Sequence, residues 1–399
     1  MGNWKTCTIA DLGMVVGGAT PSTKEAENYD GGTIAWITPK DLAGYSERFI
    51  SHGKRDITET GLHSCSAQMM PRHSVLFSSR APIGYVAIAE NELCTNQGFK
   101  SVVPNENTDY MFLYYLLLNN RQRIQHMGSG TTFKEVSGKT MRSIEVRVPE
   151  SKEEQIRISS ILSTIDDKIE ENERINKNLF QQAQSIYSAW FEQFLLYNGK
   201  MPSNWHIGTI RDIADITTNS FNPQKNPGVM LEHYSIPAFD EQHFPVFELS
   251  DNVKSNKYIL TNNSVLASKL NPDTKRVWRP MCLSENAVCS TEFIVFESKD
   301  PEHKDFLFSI IDSQPFSDWM CAHTTGSTNS RQRTTPSTTL DFKIAVPPDD
   351  VVDEFCSTVA PMYDLISQNL LENQRFSSLR DQLLPKLMTG EIDVSNIDL

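Results

Sequence analysis

The sequence lacks the segments that would place it in a membrane or export it from the cell. No apolar run approaches the ~18 residues that a membrane-spanning helix needs, and the first residues do not form a charged segment followed by an apolar one. The seven cysteines form no Cys-x-x-Cys pair and fall at no zinc-ligand spacing. An odd, scattered set of cysteines is typical of reduced thiols, so we expect a cytoplasmic protein without a membrane partner.

Catalytic motifs are also missing. The sequence has no Gly-x-x-x-x-Gly-Lys-Ser/Thr phosphate loop, and its nine histidines show no His-x-x-x-His or His-Glu spacing. Gly17-Gly18 is a lone glycine pair, which indicates a turn rather than a cofactor cradle. None of the Asn-Pro pairs continues into the Pro-aromatic dipeptide of an amino-methyltransferase: they are Asn222-Pro223-Gln224, Asn226-Pro227-Gly228 and Asn271-Pro272-Asp273. We therefore expect neither catalysis nor a metal or cofactor in this chain.

The charge balance is acidic, with a net charge of −13 over 399 residues. Such a balance argues mildly against a free-standing nucleic-acid binder. The charge is unevenly spread, however, because residues 1–150 carry equal numbers of basic and acidic side chains. Local basic surfaces are therefore compatible with the composition, and so is an acidic surface that faces a partner protein. The length allows two or more domains.

The chain does contain a long amphipathic stretch that occurs twice. Residues 153–194 predict one helix with an a/d seam, formed by Ile158, Leu162, Ile165, Ile169, Asn172, Asn176, Leu179, Ala183, Ile186 and Trp190. The seam recurs 197 residues later, with eight of its ten positions keeping their residue class, as Phe355, Val359, Met362, Ile366, Asn369, Asn373, Phe376, Arg380, Leu383 and Leu387. The clear mismatch is Arg380 against Ala183. This repetition indicates an internal duplication.

A mixed segment with strand-like runs and one short apolar helix precedes each long helix. The openings of these segments, Asn3-Trp4 and Asn204-Trp205, stand 201 residues apart, and the short helices are expected at 109–119 and 304–311. We therefore expect an α+β fold, with two homologous mixed α/β globules separated by two long helices in a pseudo-two-fold arrangement. The expected boundaries are 1–150 and 198–348 for the globules, 151–197 for the central helix, and 349–399 for the C-terminal helix and tail.

The two seams are expected to pair as an antiparallel coiled coil. A buried Asn opposite an aliphatic residue would leave its amide unpaired at a cost of ~1–3 kcal/mol, so Asn should face Asn. The pairs in this register are Asn172 with Asn373, Asn176 with Asn369, Ile158 with Leu387, and Trp190 with Phe355. The alternative is that these Asn residues are merely tolerated at a solvent-facing break. The seam is about 48 Å long, more than the ~34 Å turn of a DNA duplex, which suits two half-sites with an unread gap.

This arrangement resembles the specificity (S) subunit of type I restriction–modification enzymes. The matching features, in chain order, are Trp4, Thr95-Asn96-Gln97-Gly98-Phe99, the Gly-Ser turn at Gly128, Ile186-Tyr187-Ser188-Ala189-Trp190-Phe191, Trp205, Ser290-Thr291-Glu292-Phe293, the turn at Gly326, and residues 379–392. The resemblance implies two target-recognition domains, each reading one part of a split sequence in double-stranded DNA. It also implies that the long helices set the gap between the two parts.

The resemblance further implies partners that supply the chemistry. Two methyltransferase (M) subunits would dock on the helices and modify adenine at N6 with S-adenosylmethionine. Restriction (R) subunits would add ATP- and Mg-dependent translocation and cleavage. The S subunit itself would be non-catalytic and would hold no cofactor.

Candidate DNA-binding residues follow from the chemistry of readout, in which Arg and Lys contact phosphates while Arg, Asn and Gln pair with base edges. In the first globule the candidates are Arg80, Thr131, Thr132, Lys134 and Lys139. In the second they are Lys269, Lys275, Arg276 and Arg279 around Trp278, and Asn329, Arg331, Gln332 and Arg333. Each could instead be an ordinary solvated charge. The matched runs at Asn96-Gln97-Gly98 and Ser290-Thr291-Glu292 favour structural roles.

Two other functions remain open from the sequence. A coiled-coil adaptor that binds proteins is the main alternative, and the acidic balance slightly favours it. A fragment of a fused restriction–methylation enzyme is the other, although no methyltransferase motif supports it. Sequence-dependent retardation of a DNA duplex would separate these alternatives.

Overall fold

Each of two structural units is built from one globule and from parts of both long helices. Unit 1 consists of Met1–Glu170 and Asn373–Leu399, and unit 2 consists of Glu171–Glu372. The computed structural model describes residues 3–80, 82–129, 134–325 and 332–395. Within these residues, no helix is both long enough and apolar enough to cross a membrane.

The globule of unit 1 is a five-stranded sheet flanked by short helices and by two strand pairs. Its elements are β1 (Trp4–Thr8), α1 (Ile9–Leu12), β2 (Gly13–Gly17), β3 (Trp36–Ile37), β4 (Phe49–Ile50), α2 (Glu59–His63), β5 (Val75–Phe77), β6 (Val86–Ala89), β7 (Cys94–Thr95), β8 (Lys100–Pro104), α3 (Tyr110–Asn119), α4 (Arg121–His126), α5 (Gly138–Arg142) and β9 (Glu145–Pro149). The sheet order is β2-β8-β5-β6-β4, and β1 pairs with β9 and β3 with β7. The first long helix, α6 (Lys152–Tyr187), follows and ends in one π-helical turn, Ser188–Glu192.

The globule of unit 2 has one four-stranded and one five-stranded sheet. Its elements are β10 (His206–Thr209), α7 (Ile210–Ile213), β11 (Ala214–Thr217), β12 (Ser220–Phe221), β13 (Met230–Tyr234), α8 (Ile236–Gln242), β14 (Val246–Leu249), β15 (Lys257–Ile259), β16 (Ser264–Ser268), β17 (Val277–Trp278), β18 (Ala287–Ser290), β19 (Phe293–Ser298), α9 (Lys304–Ile311), α10 (Gln314–Ala322), β20 (Thr324–Thr325), β21 (Arg333–Thr334), α11 (Pro336–Thr339) and β22 (Lys343–Val346). The sheet orders are β11-β19-β16-β17 and β12-β15-β18-β13-β14. The second long helix, α12, spans Asp349–Thr389.

The openings of the two globules share one local structure. In unit 1 the backbone N–H of Thr8 donates to Oδ2 of Asp11 at 2.7 Å, and in unit 2 Thr209 donates to Asp212 at 2.7 Å. Both are capping boxes, which satisfy the free N–H groups at the start of α1 and α7. The opening strand then pairs antiparallel with the last strand of the same globule, β1 with β9 and β10 with β22. Each long helix therefore starts beside the opening of its own globule.

The short apolar helix of each globule lies in the core of its unit. Helix α3 is buried over most of its length, and the Asp109 carboxylate caps it by accepting from the N–H of Phe112 at 2.7 Å. Helix α9 is buried along seven of its eight residues. Both helices share a core with residues of the long helices, such as Ile158 in unit 1 and Phe355 in unit 2. Burial of these apolar surfaces holds each globule against the helices.

Within unit 1, the beginning of α6 and the end of α12 run antiparallel. Arg380 Nη1 lies 2.9 Å from Asp166 Oδ1, and Asn373 donates to the carbonyl of Ile169 at 3.4 Å. Ile158 and Leu387, predicted to face each other, are both about 1% exposed and belong to one hydrophobic cluster. The helices of this unit therefore meet in the antiparallel sense that the two seams predict.

Within unit 2, the end of α6 and the beginning of α12 also run antiparallel. Asn369 donates to Oδ1 of Asn176 at 2.8 Å, and the rings of Trp190 and Phe355 lie 5.9 Å apart, so both predicted pairs are confirmed. Asn172 donates to Oε2 of Glu372 at 2.8 Å. The predicted contact of Asn172 with Asn373 stays a prediction. The predicted class, two mixed α/β globules with two long antiparallel helices, is confirmed.

Candidate nucleic-acid interface

In unit 1, a turn after β5 lies between two other segments and carries the first candidate, Arg80. The N–H of Ser79 donates to the carbonyl of Gly98 at 2.7 Å, and the N–H of Val136 donates to the carbonyl of Ser79 at 2.9 Å. Arg80 and Glu135 therefore face each other in a β-bridge, and their side chains form an ion pair at 2.9 Å. The Arg80 side chain is 46% exposed, so it remains accessible to a partner.

Two further candidates of unit 1, Lys134 and Lys139, are exposed, and Lys134 directly precedes Glu135, which faces Arg80. Lys139 lies in α5, whose N-cap Ser137 accepts from the N–H of Thr140 at 3.0 Å. Thr131 and Thr132 lie outside the described residues. Lys134 thus borders the surface that carries Arg80 and Glu135.

Sequence reasoning missed two cations beside this surface. Lys100 lies 3.5 Å from Glu135, on the side opposite Arg80. Arg121 packs under the turn, because a Cβ on Gly84, whose φ is +102°, would lie 2.6 Å from Arg121 Cγ. Nothing near these residues in the sequence marks them, since β8 and α4 reach the turn only through tertiary packing.

Unit 2 repeats this arrangement of two backbone hydrogen bonds and a β-bridge with different side chains. We call the arrangement the frame of each unit. The N–H of Lys269 donates to the carbonyl of Glu292 at 3.0 Å, and the N–H of Thr334 donates to the carbonyl of Lys269 at 3.0 Å. Leu270 and Arg333 form the corresponding β-bridge. These bonds place Lys269 where unit 1 has Ser79, and Arg333 where unit 1 has Glu135.

One matched position therefore carries opposite charges, Glu135 in unit 1 and Arg333 in unit 2, whereas Arg80 of unit 1 is matched by the uncharged Leu270. Arg333 makes a bidentate ion pair with Glu292, at 3.0 Å for both contacts, and this pair lowers the pKa of the Glu292 carboxyl. In unit 1 the corresponding position carries Glu135, which accepts from Arg80. Gln332, the neighbour of Arg333, accepts from the N–H of Asn271 through its carbonyl at 2.9 Å. Asn329 and Arg331 lie outside the described residues.

The matched polar runs, Asn96-Gln97-Gly98 and Ser290-Thr291-Glu292, form backbone turns beside the two frames. Asn96 Oδ1 accepts from the N–H of Gly98 at 2.9 Å, and Ser290 Oγ accepts from the N–H of Glu292 at 3.3 Å. The next residue in each run, Phe99 and Phe293, is almost fully buried. Both polar side chains are therefore held by their own backbone turns.

The basic cluster around Trp278 is paired with carboxylates. Lys275 contacts Asp312 at 3.0 Å, Arg276 contacts Asp240 at 2.7 Å, and Arg279 contacts Asp305 at 2.6 Å. Trp278 is only 5% exposed and packs against the rings of Tyr234 and Phe239. DNA contact by these three cations stays a prediction, but their charges are already balanced within unit 2.

The described part of the chain offers no group of three or more His, Cys, Asp or Glu side chains that could hold a metal ion. The cysteines at 7, 65, 94, 282, 289, 321 and 356 are all free thiols. Two globules that present unlike polar side chains on a common frame, joined to paired helices, define a duplicated recognition protein.

Comparison with known proteins identifies the family. The type I restriction–modification DNA specificity domain matches residues 1–181. The chain is 32% identical over 416 residues to the specificity subunit of the type I restriction enzyme MjaIX of Methanocaldococcus jannaschii, covering 99% of this chain and 95% of that protein. It is 28% identical over 169 residues to the EcoR124I/EcoR124II specificity subunit of Escherichia coli, covering 41% of this chain and 40% of that one.

A solved structure shows the same fold. The crystal structure of the type I restriction–modification S subunit of M. genitalium matches with a TM-score of 0.62 at 15% identity, covering 97% of this chain and 96% of that one. The chain therefore belongs to the type I restriction–modification DNA specificity family. Its function is DNA recognition, and the catalytic activities of such a system lie in other subunits.

Proposed function

We propose that this chain reads a two-part sequence in double-stranded DNA, with the globule of unit 1 on one half-site and the globule of unit 2 on the other. The frame shared by the two units, with different side chains at its matched positions (Glu135 against Arg333 and Arg80 against Leu270), is the observation that carries this proposal. Base edges in the major groove present distinct donor and acceptor patterns. Frames that present different polar side chains therefore favour different bases in the two half-sites.

The proposed contacts follow the two frames. Unit 1 uses Arg80, Lys134 and Lys139, extended by Thr131 and Thr132. Unit 2 uses Lys269, Gln332 and Arg333, extended by Asn329 and Arg331. Lys275, Arg276 and Arg279 belong to the proposed set with smaller expected effects, because each is already paired with a carboxylate.

The long helices have two proposed roles. Their length sets the gap between the half-sites, and their outer faces dock two methyltransferase (M) subunits. Large exposed apolar side chains on otherwise polar helices support docking: Ile156 on α6 is 43% exposed, and Leu365 and Leu379 on α12 are 41% and 46% exposed. In the cytoplasm, the M subunits would use S-adenosylmethionine, and restriction (R) subunits would use ATP and Mg.

The test compares Arg80→Ala and Arg333→Ala in the full chain assembled with M subunits. Each complex selects duplexes from a random library, and affinities are measured at several salt concentrations. We expect Arg80→Ala to relax base preference in one half-site and Arg333→Ala in the other. Each loss should amount to about 1–3 kcal/mol, roughly 5- to 150-fold in affinity.

The matched control is Arg174→Ala. Arg174 is an exposed cation on α6, outside both frames, and it forms an ion pair with Glu171 on the same helix. Its selected sequences should equal those of the wild type. Relaxation of the same half-site by both frame variants would contradict the division of labour between the units. Unchanged selection by both would remove the frames from the interface.

A further inference from the structure

A buried arginine joins the globule of unit 1 to α6. Arg48, next to β4, has a side chain only 6% exposed. Its guanidinium makes two contacts with the Glu170 carboxylate, at 2.7 and 2.9 Å, and a third with Asp167. Because a planar guanidinium in a bidentate pair fixes direction as well as distance, these contacts define the angle between β4 and this turn of α6.

A second arginine does the same in unit 2. Arg279, just after β17, has a side chain 17% exposed and contacts both Asp305 of α9, at 2.6 Å, and Asp364 of α12, at 3.2 Å. Its guanidinium also lies 5.4 Å from the ring centroid of Tyr363. The globule, its short helix and the long helix therefore meet at one guanidinium.

The two arginines reach equivalent places on the long helices. Asp364 follows Asp167 by the 197 residues of the repeat. Arg279 does not stand at this distance from Arg48, and the two strands beside them pair differently, since β4 runs parallel to β6 whereas β17 runs antiparallel to β16. Two arginines from unrelated strands thus hold the same turn of two duplicated helices. The helix position recurs with the repeat, whereas the arginine that reaches it differs in chain position between the two globules.

We propose that Arg48 and Arg279 are positioning residues that lock each recognition globule at a fixed angle to the equivalent turn of its long helix, and so set the spacing at which the two half-sites are read. The spacing part rests on the proposed function, while the locking part does not. Arg279 acts through Asp364 and Asp305. The duplicated helices thus carry one anchoring position each, at Asp167 and Asp364.

Mild variants test this without removing a buried charge. Asp167→Asn and Asp364→Asn change side chains that are 65% and 61% exposed, so both proteins should fold. Arg48→Lys is the second variant, because it keeps the charge and loses the planar fork. Glu171→Gln is the control, as it removes an exposed pair with Arg174 one turn further along α6.

The first measurement needs no DNA. Spin labels are placed on the full chain at exposed positions, Lys24 and Lys168 for unit 1 or Lys254 and Glu354 for unit 2. The distribution of distances between the two labels is recorded by pulsed electron paramagnetic resonance. We expect Asp167→Asn and Arg48→Lys to broaden the unit 1 distribution at least twofold, and Asp364→Asn to broaden that of unit 2. Distributions as narrow as those of wild type and Glu171→Gln would overturn the proposal.

The second measurement uses the full chain with M subunits and duplexes whose gap is correct or one base pair longer. The variants should lower the ratio of the two affinities about fivefold while the half-site sequences stay the same. A broadened distribution with an unchanged ratio would show a purely structural contact and overturn the positioning role. If wild type itself ignores the gap, the two-part reading fails, and the locking part is decided by the distance distributions alone.

Discussion

Asn369 donates a hydrogen bond from its side-chain amide to Oδ1 of Asn176 at 2.8 Å, inside the seam of the paired helices of unit 2. Asn369 is 8% exposed, so this bond replaces water that the amides would otherwise need. Because this bond joins the two side-chain amides directly, a shifted register would break it. The pair therefore favours this register of the two helices over a shifted one.

Replacing Asn369 by Leu should destabilise the protein by about 1–3 kcal/mol, because the Asn176 amide then loses its partner in a buried seam. The double change of Asn176 and Asn369 to Leu should destabilise less than the single change, since no amide is left unpaired. Chemical denaturation of the full chain measures both. A double variant as unstable as the sum of the two single variants would contradict a direct coupling.

Replacing Gly18 by Ala should disrupt unit 1, because the added Cβ would lie 2.1 Å from the carbonyl oxygen of Thr95 and 2.2 Å from that of Asn96. Backbone atoms cannot yield as a flexible side chain can, so we expect a loss of about 3 kcal/mol. Gly17→Ala is the adjacent control, with only the Lys100 Cδ at 4.0 Å. Melting temperatures that fall equally in the two variants would argue against the clash.

Asp312 should make stability depend on pH. Burial raises the pKa of its carboxyl from 3.8 to about 6, although Lys275 opposes the shift. The folded state then binds more protons than the unfolded state between these values, so this group's contribution to stability falls as pH rises through the window. From about pH 5 to about pH 7.5 the loss should be ~1 kcal/mol.

The check is Asp312→Asn, which removes the titration. Its unfolding free energy relative to wild type should increase by ~1 kcal/mol over that pH range. A constant difference between the two proteins would show that the carboxyl does not titrate in this window.

Inserting one heptad at matched positions of both long helices should lengthen the seam without changing its register. Seven residues add about 10.5 Å, which corresponds to roughly three base pairs at ~3.4 Å each. The recognised gap should widen by that amount while both half-sites stay the same. Motif mapping of DNA methylated by the assembled complex measures this, and altered half-sites with an unchanged gap would contradict a spacer role.

The duplicated helices could be predicted from the sequence because the pattern that forms them is local and periodic. The apolar steps of four and three predicted the seam, and the polar steps predicted the Asn176–Asn369 pair. The short helix expected at 109–119 occurs as Tyr110–Asn119. The first long helix was expected to reach residue 194 but leaves α-helical geometry after Tyr187, because the π-helical turn brings Phe191 into the core of unit 2.

Other features depend on residues that are far apart in the chain. The mismatch of Arg380 with Ala183 had no local explanation, yet Arg380 pairs with Asp166, whose counterpart in the repeat is the uncharged Tyr363. Where unit 1 has the ion pair of Arg380 with Asp166, the corresponding positions of unit 2 carry the uncharged Ala183 and Tyr363. The ion pairs of Arg279 could not be predicted from its local cluster either, because the carboxylates of Asp305 and Asp364 lie on α9 and α12.

The most direct test of the whole account is to map the sequence methylated by the full chain assembled with M subunits, and to repeat this after exchanging Arg80 with Glu135 in unit 1. Wild type should give a motif of two specified parts with a fixed unread gap, and the exchange should change one part only. The same exchange of Glu171 with Arg174 should change nothing. A single continuous motif, or a change in both parts, would contradict the reading of two half-sites by two units.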